Sequence, residues 1–228
     1  MSDIMLNTYF VAFIDILGFS EMVRYDSESP LGQKYLSRLF EVHQQAGDIL
    51  GGDMEYKLIQ FSDSIVLSAP FNIDRLPLFI KAIALWQRNL LLNGFLCRGG
   101  VTFGKHFIND NFLFSKALID AYHMESNLAK HPRVIISDDL IQLSPTIIND
   151  KDFRATLEDD GLSFVDYIFE DATVTKDNLK SAIERIISES PKKVSSVQEK
   201  MRWLSKYTDF KLNTSISTPT FKELSVDV

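Results

Sequence analysis

Phe10-Val11-Ala12-Phe13-Ile14-Asp15-Ile16-Leu17-Gly18-Phe19-Ser20 forms an apolar stretch near the start of the chain. Its aromatic and β-branched run over 9–16 predicts a central strand that is buried on both faces. Asp15 interrupts the run, and a buried carboxylate is costly unless a metal ion, a basic side chain or backbone amides replace its lost hydration. Gly18 ends the strand, and Ser20 is expected to cap a short helix that begins at Glu21. The amides of this turn are suited to phosphate oxygens.

Beyond this turn, hydrophobic periodicity predicts an alternation of helices and strands. A helix over 32–50 would place Leu36, Leu39, Phe40 and His43 on one stripe. Strands over 55–61 and 64–69 are separated only by Ser62-Asp63, which predicts a β-hairpin. The order β-α-α-β-β-α-β fits a ferredoxin-like α+β sandwich. Further predicted elements are a helix over 75–93, a strand over 95–107 with a turn at 109–111, a helix over 116–130, a strand over 133–136, and, after Phe164, one strand and two helices over 176–189 and 194–207.

Composition limits the classes of partner. The formal net charge of −7 argues against broad binding of nucleic acids, whose phosphates are held by an excess of Lys and Arg. The longest remaining apolar run, 76–92, contains Lys81 and Arg88 and predicts an amphipathic helix rather than a membrane span. The single cysteine, Cys97, excludes an internal disulfide, and no secretory signal is visible. We therefore expect a cytoplasmic protein that binds neither nucleic acid nor membrane.

Asp15 and Asp63 are the candidate catalytic pair. In a ferredoxin-like sheet the first strand and the following hairpin are neighbours, so both carboxylates could converge on one or two metal ions. Phosphoryl transfer uses such an arrangement to activate a hydroxyl and to steady a triphosphate. Taken singly, Asp15 could equally cap the next helix, and aspartate is common in hairpin turns.

Three motifs resemble those of the class III nucleotide cyclases. Residues 13–20, Phe-Ile-Asp-Ile-Leu-Gly-Phe-Ser, resemble the motif F-x-D-I-x-G-F-S/T that carries the first metal-binding aspartate. Residues 61–64, Phe-Ser-Asp-Ser, resemble the Gly-Asp hairpin of that family, with Ser62 in place of glycine. Residues 98–104, Arg-Gly-Gly-Val-Thr-Phe-Gly, resemble the strand R-x-G-I/V-x-x-G. The motifs follow the order of the family over 8–136.

This resemblance implies a ferredoxin-like class III cyclase domain with its catalytic core over 1–170 and a C-terminal helical extension of the same domain over 171–228. It implies that Asp15, Asp63 and the Ile16 carbonyl bind two Mg²⁺ or Mn²⁺ ions. It also implies conversion of a nucleoside triphosphate to a 3′,5′-cyclic monophosphate and pyrophosphate, in a homodimer with interfacial active sites. The substrate-binding residues it implies are Phe13, Leu17, Gly18, Phe19, Ser20, Ile59, Arg98, Tyr122 and Glu125.

The chain departs at five positions from the pattern of adenylate and guanylate cyclases. Ile59 stands where those enzymes select their base with a polar residue, and the second base-reading position falls near Phe112. Ile119 and His123 replace the usual Asn and Arg of the later helix. The Lys that steadies the terminal phosphates has no clear counterpart in 164–167. The metal-binding aspartates are retained, whereas the base-selecting and transition-state residues of the purine cyclases are not. This combination favours either an enzyme for a base other than a purine or an inactive enzyme.

The stretch Lys116–Glu125, followed by Pro132-Arg133-Val134, resembles the pattern G-x-A-L-x-x-A-Y-x-x-E…P-R-I/V of the pyrimidine cyclases of Pycsar antiphage defence, with Ser115 in place of glycine. That resemblance implies a uridylate or cytidylate cyclase. Its product, cyclic UMP or cyclic CMP, would activate a separately encoded effector. A catalytically inactive nucleotide-binding regulator and a purine (adenylate) cyclase remain as alternatives.

Five residues keep two interpretations each. Arg98 could hold a phosphate or form a buried ion pair, and Phe13 could floor the base pocket or pack in the core. Tyr122 and Glu125 could touch nucleotide across the dimer or lie at the edge of the core. Arg133 could anchor the turn between helix and strand or contact a phosphate.

Overall fold

The computed structural model describes residues 5–30, 32–51, 54–109, 111–143 and 147–218. Part of the turn predicted at 109–111 therefore lies outside the described residues. The chain divides into two compact units, with the division between Tyr167 and Ile168. The interpretation of 171–228 as an extension of the same domain stays a prediction. Among the described residues, no helix is both long and apolar enough to cross a membrane.

The first unit is built on one mixed β-sheet. Its described strands are β1 (Asn7–Ile16), β2 (Lys57–Phe61), β3 (Ser64–Pro70), β4 (Cys97–Ile108), β5 (Leu113–Ser115), β6 (Val134–Ile136), β7 (Ala155–Leu157) and β8 (Ser163–Val165). They are ordered β2-β3-β1-β4-β6-β8-β7, and β5 pairs with β4. The portion β2-β3-β1-β4 is antiparallel, with β1 between the hairpin and β4. This arrangement confirms the predicted ferredoxin-like α+β fold.

Helices fill the connections between these strands. In the first unit they are α1 (Phe19–Glu28), α2 (Tyr35–Gln44), α3 (Ala46–Leu50), α4 (Leu76–Leu92), α5 (Lys116–Asn127) and α6 (Asp138–Leu143). The helix predicted over 75–93 is observed as α4, and its large apolar side chains are buried; they include Phe79, Ile83, Trp86 and Leu90. The order β1-α1-α2-α3-β2-β3-α4-β4 agrees with the predicted β-α-α-β-β-α-β, apart from the division of one helix.

The central strand β1 is buried on both faces, as its sequence predicts. Side chains alternate across a strand, so its residues separate into two sets. One set includes Phe10, whose ring stacks on Phe79 of α4 at a centroid distance of 5.3 Å. The other includes Val11 and Phe13, which form a core cluster with Ala121 of α5 and its neighbours. Asp15 belongs to this second set and therefore lies on the α5 side of the sheet.

The helix predicted over 32–50 is wrong in length and in the face that it buries. The structure divides it into α2 and α3, which meet at Gln45. Leu39 is buried, but Leu36 and Phe40 are 54% and 57% exposed. The apolar stripe of α2 borders an open cavity instead of the closed core, which a periodic pattern alone cannot distinguish.

The predicted start of α1 is also corrected. The helix begins at Phe19, two residues before the predicted Glu21, and its cap is Gly18 rather than Ser20. Gly18 has a left-handed backbone with φ 78°, a conformation that glycine adopts without a Cβ clash. Its carbonyl accepts hydrogen bonds from the N–H groups of Glu21 and Met22 at 3.1 and 3.2 Å. The backbone turn itself therefore starts the helix, and no side-chain cap is required.

The second unit contains α7 (Lys176–Glu189) and α8 (Ser195–Leu212). The bounds of α7 agree with the prediction, and a capping box of Thr175 and Asn178 fixes its start. Burial raises the pKa of the Asp209 carboxyl in the last turn of α8, but hydrogen bonds donated by Thr214, Ile216 and Ser217 outweigh this effect and lower the pKa to about 2. The described tail after β8 contains no strand, so the strand predicted there is wrong. The β7–β8 hairpin was not predicted.

The buried ring of His106 in β4 predicts that the stability of the sheet depends on pH. Its ring is buried beside Tyr9, with centroids 5.0 Å apart, and neither ring nitrogen has a hydrogen-bond partner among the described residues. Burial lowers the pKa of His106 below the ordinary value of 6.5. The unfolded chain then binds a proton that the folded chain does not, so stability is lost as the pH falls below 6.5.

We expect His106→Phe to melt at a temperature that declines less than that of the unchanged protein as the pH falls below 6.5. Phenylalanine keeps the ring contact with Tyr9 and removes the titrating nitrogens. Thermal unfolding followed by circular dichroism across a pH series measures the difference. Parallel melting curves for the two proteins would contradict a role for His106.

Candidate functional site

The end of β1 and the β2–β3 turn bring Asp15 and Asp63 together. Asp15 pairs with Ser64 in the antiparallel register, and the Ile16 N–H donates to the Asp63 carbonyl oxygen at 2.9 Å. Burial raises the pKa of the Asp15 carboxyl, and the nearby Asp63 carboxylate raises it further. The two carboxylates are thus close enough to repel each other. The convergence predicted from the sequence is present in the fold.

Arg98 of β4 lies opposite Asp15 in the sheet and forms an ion pair on each side. Its Nε is 3.6 Å from Asp15 Oδ2, and its Nη2 is 2.6 Å from Oε1 of Glu125 in α5. Its Nη1 donates a long hydrogen bond of 3.5 Å to the carbonyl oxygen of Ala129. Of the two interpretations of Arg98, the ion pair is therefore observed. Contact with a phosphate stays a prediction.

The charges of this cluster do not cancel. Asp15, Asp63 and Glu125 supply three carboxylates, and Arg98 supplies one guanidinium. Burial raises the pKa of Glu125; Arg98 opposes this rise, while repulsion from the two aspartates adds to it. Repulsion among partly desolvated carboxylates is relieved most directly by a cation. The Asp15 side chain is 20% exposed, so an ion from solvent can reach it.

The two aspartates suit a hard divalent cation whose remaining ligands are water molecules and substrate phosphates. No group of three or more His, Cys, Asp and Glu side chains suited to a metal ion occurs within the described ranges. Mg²⁺ is commonly held by one or two carboxylates, with waters and substrate phosphates completing its shell, and Mn²⁺ accepts the same oxygen donors. Asp15 and Asp63 match that requirement. The Ile16 carbonyl, at the end of the same strand, remains a predicted third ligand.

The predicted phosphate-binding turn follows directly after these carboxylates. Leu17 is fixed by a hydrogen bond from its N–H to the Leu96 carbonyl oxygen at 2.8 Å. Gly18 then turns the chain so that Phe19 and Ser20 form the first turn of α1. The first N–H groups of a helix have no acceptor within that helix. The turn therefore offers amide donors beside Asp15, and its binding of phosphate stays a prediction.

Phe13, Ile59 and Tyr122 lie on the α5 side of the sheet. Phe13 is buried and packs edge to face against Tyr122, with ring centroids 5.5 Å apart. Ile59 of β2 is half-buried and pairs with Val66 of β3, which in turn pairs with Phe13. These side chains form one row across three strands. Tyr122 is 49% exposed, so its contact with Phe13 leaves most of its edge open to solvent.

Two features near the site were missed by the sequence prediction. The first is the contact of Arg98 with α5, for which only the position of Glu125 on the apolar face of a predicted helix gave a hint. The second is the burial of Arg133, which pairs with Glu158 and Asp160 of the β7–β8 hairpin. The predicted anchoring role of Arg133 is therefore observed, although its carboxylate partners could not be named in advance.

A cavity of about 530 Å³ lies between α1 and α2 and was not predicted. It reaches from Phe19, beside the phosphate-binding turn, to Ser62, which precedes Asp63. Ser62 has a positive φ of 58°, which is uncommon for a residue other than glycine. The rest of the cavity lining is mostly apolar and consists of Met22, Val23, Asp26, Ser27, Gln33, Tyr35, Leu36, Leu39, Phe40, His43 and Gln60.

Two solved structures are similar to this chain. The adenylyl cyclase CyaB from P. aeruginosa superposes with a TM-score of 0.51 at 14% sequence identity, over 75% of this chain and 98% of that one. The guanylyl cyclase domain of the RhoGC fusion protein from Blastocladiella emersonii gives a TM-score of 0.48 at 16% identity, over 70% and 95%. No protein-family model and no curated protein matches the sequence. The first likeness establishes the fold, which is that of class III cyclase catalytic domains.

Proposed function

We propose that this chain is a nucleotide cyclase in which Asp15 and Asp63 hold divalent cations. The observation that carries the proposal is the convergence of these two carboxylates at the end of β1, on a cyclase fold. A net surplus of two negative charges around Arg98 supports it. The reaction would join the ribose 3′-oxygen to the α-phosphorus, with the hydroxyl proton passing to solvent water. It would break the bond between the α-phosphorus and the oxygen that bridges to the β-phosphate, and pyrophosphate would leave.

The chain's own residues divide the work of holding the substrate. Divalent cations at such carboxylates neutralise a triphosphate and lower the pKa of an attacking hydroxyl. Asp15 and Asp63 would position these cations. The amides of Phe19 and Ser20 would receive terminal phosphate oxygens at the helix N-terminus. Arg98 would keep a positive charge beside the reacting phosphate.

We further propose a pyrimidine substrate, UTP or CTP. Ile59 lacks any group that could hydrogen-bond a purine edge, and it lies in one row with the apolar Val66 and Phe13. A smaller base needs fewer polar contacts from such a surface. Residues 116–125 and 132–134 resemble the pyrimidine cyclases of Pycsar antiphage defence. By that resemblance, the product would be a messenger, cyclic UMP or cyclic CMP, that activates a separately encoded effector. The enzyme would act in the cytoplasm, apart from membranes and nucleic acids.

A homodimer is part of this proposal. Phe112, Ile119 and Tyr122 are large apolar side chains that are about half exposed or more, at the β4–β5 connection and on α5. Ile119 and Tyr122 lie three residues apart on α5 and so are neighbours on its surface. Neighbouring exposed apolar side chains are typical of protein interfaces. A second subunit that covers them would complete the base pocket, which one chain leaves open.

Two observations favour a second candidate, a catalytically inactive nucleotide-binding regulator. Arg98 already neutralises part of the charge on Asp15. Ile119, which is exposed on α5, replaces a residue type that stabilises the transition state in purine cyclases. Such a protein would bind nucleotide without turning it over.

Incubation of the purified chain with Mn²⁺ and each of the four ribonucleoside triphosphates tests the proposal. We expect cyclic UMP or cyclic CMP, identified by mass spectrometry, and no cyclic purine nucleotide. A purine product would overturn the pyrimidine assignment. Calorimetric binding of nucleotide without any cyclic product would identify the regulator instead.

A further inference from the structure

The Arg98 guanidinium is shared unequally between two carboxylates on different elements. Its contact with Glu125 of α5 is 2.6 Å, whereas its contact with Asp15 of β1 is 3.6 Å. The Nη1 atom of Arg98 donates a hydrogen bond of 3.5 Å to the carbonyl oxygen of Ala129, just beyond α5. Two of its three contacts therefore come from the α5 region, and they draw the guanidinium away from β1.

Charge holds the guanidinium more than directed hydrogen bonds do. Nε of Arg98 and Oε1 of Glu125 are buried, and neither has a well-aligned hydrogen-bond partner in the described part of the chain. A group held by charge can shift towards whichever carboxylate attracts it more strongly. Without Glu125, the carboxylate that remains beside Arg98 is that of Asp15, which Asp63 adjoins. Arg98 would then cover the oxygens that a cation needs.

We propose that Glu125 is a positioning residue that holds Arg98 away from Asp15, and so keeps the aspartate oxygens open to a divalent cation. This inference rests on the proposed function, and it gives Glu125 a role other than substrate contact. Glu125 suits the role because its side chain is only 5% exposed, which limits the competition of water for Arg98. Competition between an internal cation and a metal ion at one carboxylate follows from Coulomb's law.

The test measures Mn²⁺ binding without nucleotide, from the electron paramagnetic resonance signal of free Mn²⁺. We expect Glu125→Asp to raise the Kd for Mn²⁺ by about 10-fold, in the range found for residues that orient metal ligands. Aspartate keeps the charge but is too short to hold Arg98. In an Arg98→Gln background, Glu125→Asp should leave the Kd unchanged, because the guanidinium that Glu125 restrains is gone.

Two controls separate this role from simpler effects. Glu125→Gln removes the negative charge. If this variant weakens Mn²⁺ binding while Glu125→Asp binds Mn²⁺ as the unchanged protein does, only the charge of Glu125 matters. That result would overturn the positioning role. An equal loss from Glu125→Asp with and without Arg98 also overturns it. Asp120→Asn removes an exposed carboxylate from the same helix, one paired with Lys116, and should not change the Kd. Thermal unfolding of each variant confirms that the fold is retained.

The same experiment distinguishes a failure of this inference from a failure of the proposed function. Because no nucleotide is present, the comparison of variants holds even for a chain that forms no cyclic product. Mn²⁺ binding that Asp15→Asn abolishes, together with absent turnover, would count against the enzyme but leave the positioning role standing. A protein that binds no Mn²⁺ at Asp15 would overturn both.

Discussion

Asp15→Asn is expected to lower cyclase activity by about 100-fold or more, as does the loss of a group that stabilises charge in a transition state. Asparagine keeps the shape of the side chain, so the β1–β3 and β1–β4 pairings should persist. It removes the negative charge that attracts the cation. Asp63→Asn should have an effect of similar size, because the two carboxylates are proposed to act on the same ions.

The same substitution should leave the fold as stable as before, or more stable. The folded-state pKa of Asp15 lies above its ordinary value of 3.8, since burial and Asp63 disfavour the ionised form. Because its pKa is raised in the folded state, the Asp15 carboxyl contributes to stability at a pH below 3.8. This contribution is lost as the pH rises through the folded-state pKa. Ionised Asp15 therefore destabilises the metal-free protein at neutral pH, and asparagine removes that cost.

Turnover and thermal unfolding in the presence of a chelator measure the two effects on the same samples. Glu21→Gln is a matched control, because Glu21 is an exposed carboxylate in the first turn of α1 and pairs with the neighbouring Arg24. It should retain activity. Full activity in Asp15→Asn would remove the metal argument, and a large fall in its melting temperature would assign Asp15 a structural role instead.

The parts of this molecule that the sequence predicted are those fixed by local pattern. A run of apolar residues can be buried on both faces only in the middle of a sheet, so β1 and the placement of Asp15 followed from Phe10 to Ile16 alone. The hairpin around Asp63 was equally local, since two strands separated by two residues must pair. Asp15 and Asp63 meet because these two elements are neighbours in the sheet.

The parts that were missed depend on how distant elements meet. The stripe of α2 has the same period whether it faces a core or a cavity, so the exposure of Leu36 and Phe40 could not be read from it. Glu125 follows Arg98 by 27 residues in the sequence. Their pairing therefore depends on where α5 crosses β4. The β7–β8 hairpin has strands of three residues, too short for any period. Its carboxylates bind Arg133 through tertiary contacts alone.

The crossing of α5 over β4 depends on a residue without a side chain. A Cβ at Gly100 would lie 2.6 Å from the carbonyl oxygen of Ala121 and 2.6 Å from Cβ of Met124. Both atoms belong to α5, and one of them is backbone, so the helix itself would have to move. Overpacking of this kind typically costs 1–3 kcal/mol and occasionally more. Gly100→Ala is therefore expected to destabilise the protein by about 3 kcal/mol.

Denaturant unfolding measures this change, and Gly47→Ala is its matched control. Gly47 lies in α3, where an added Cβ would meet nothing within 4 Å, so alanine there should be neutral or stabilising. A displaced α5 would also carry Glu125 away from Arg98. Gly100→Ala should consequently weaken Mn²⁺ binding even under conditions in which it stays folded. Unchanged stability would mean that α5 does not approach the sheet this closely. A large loss of stability with unchanged Mn²⁺ binding would separate the seating of α5 from the geometry of the carboxylates.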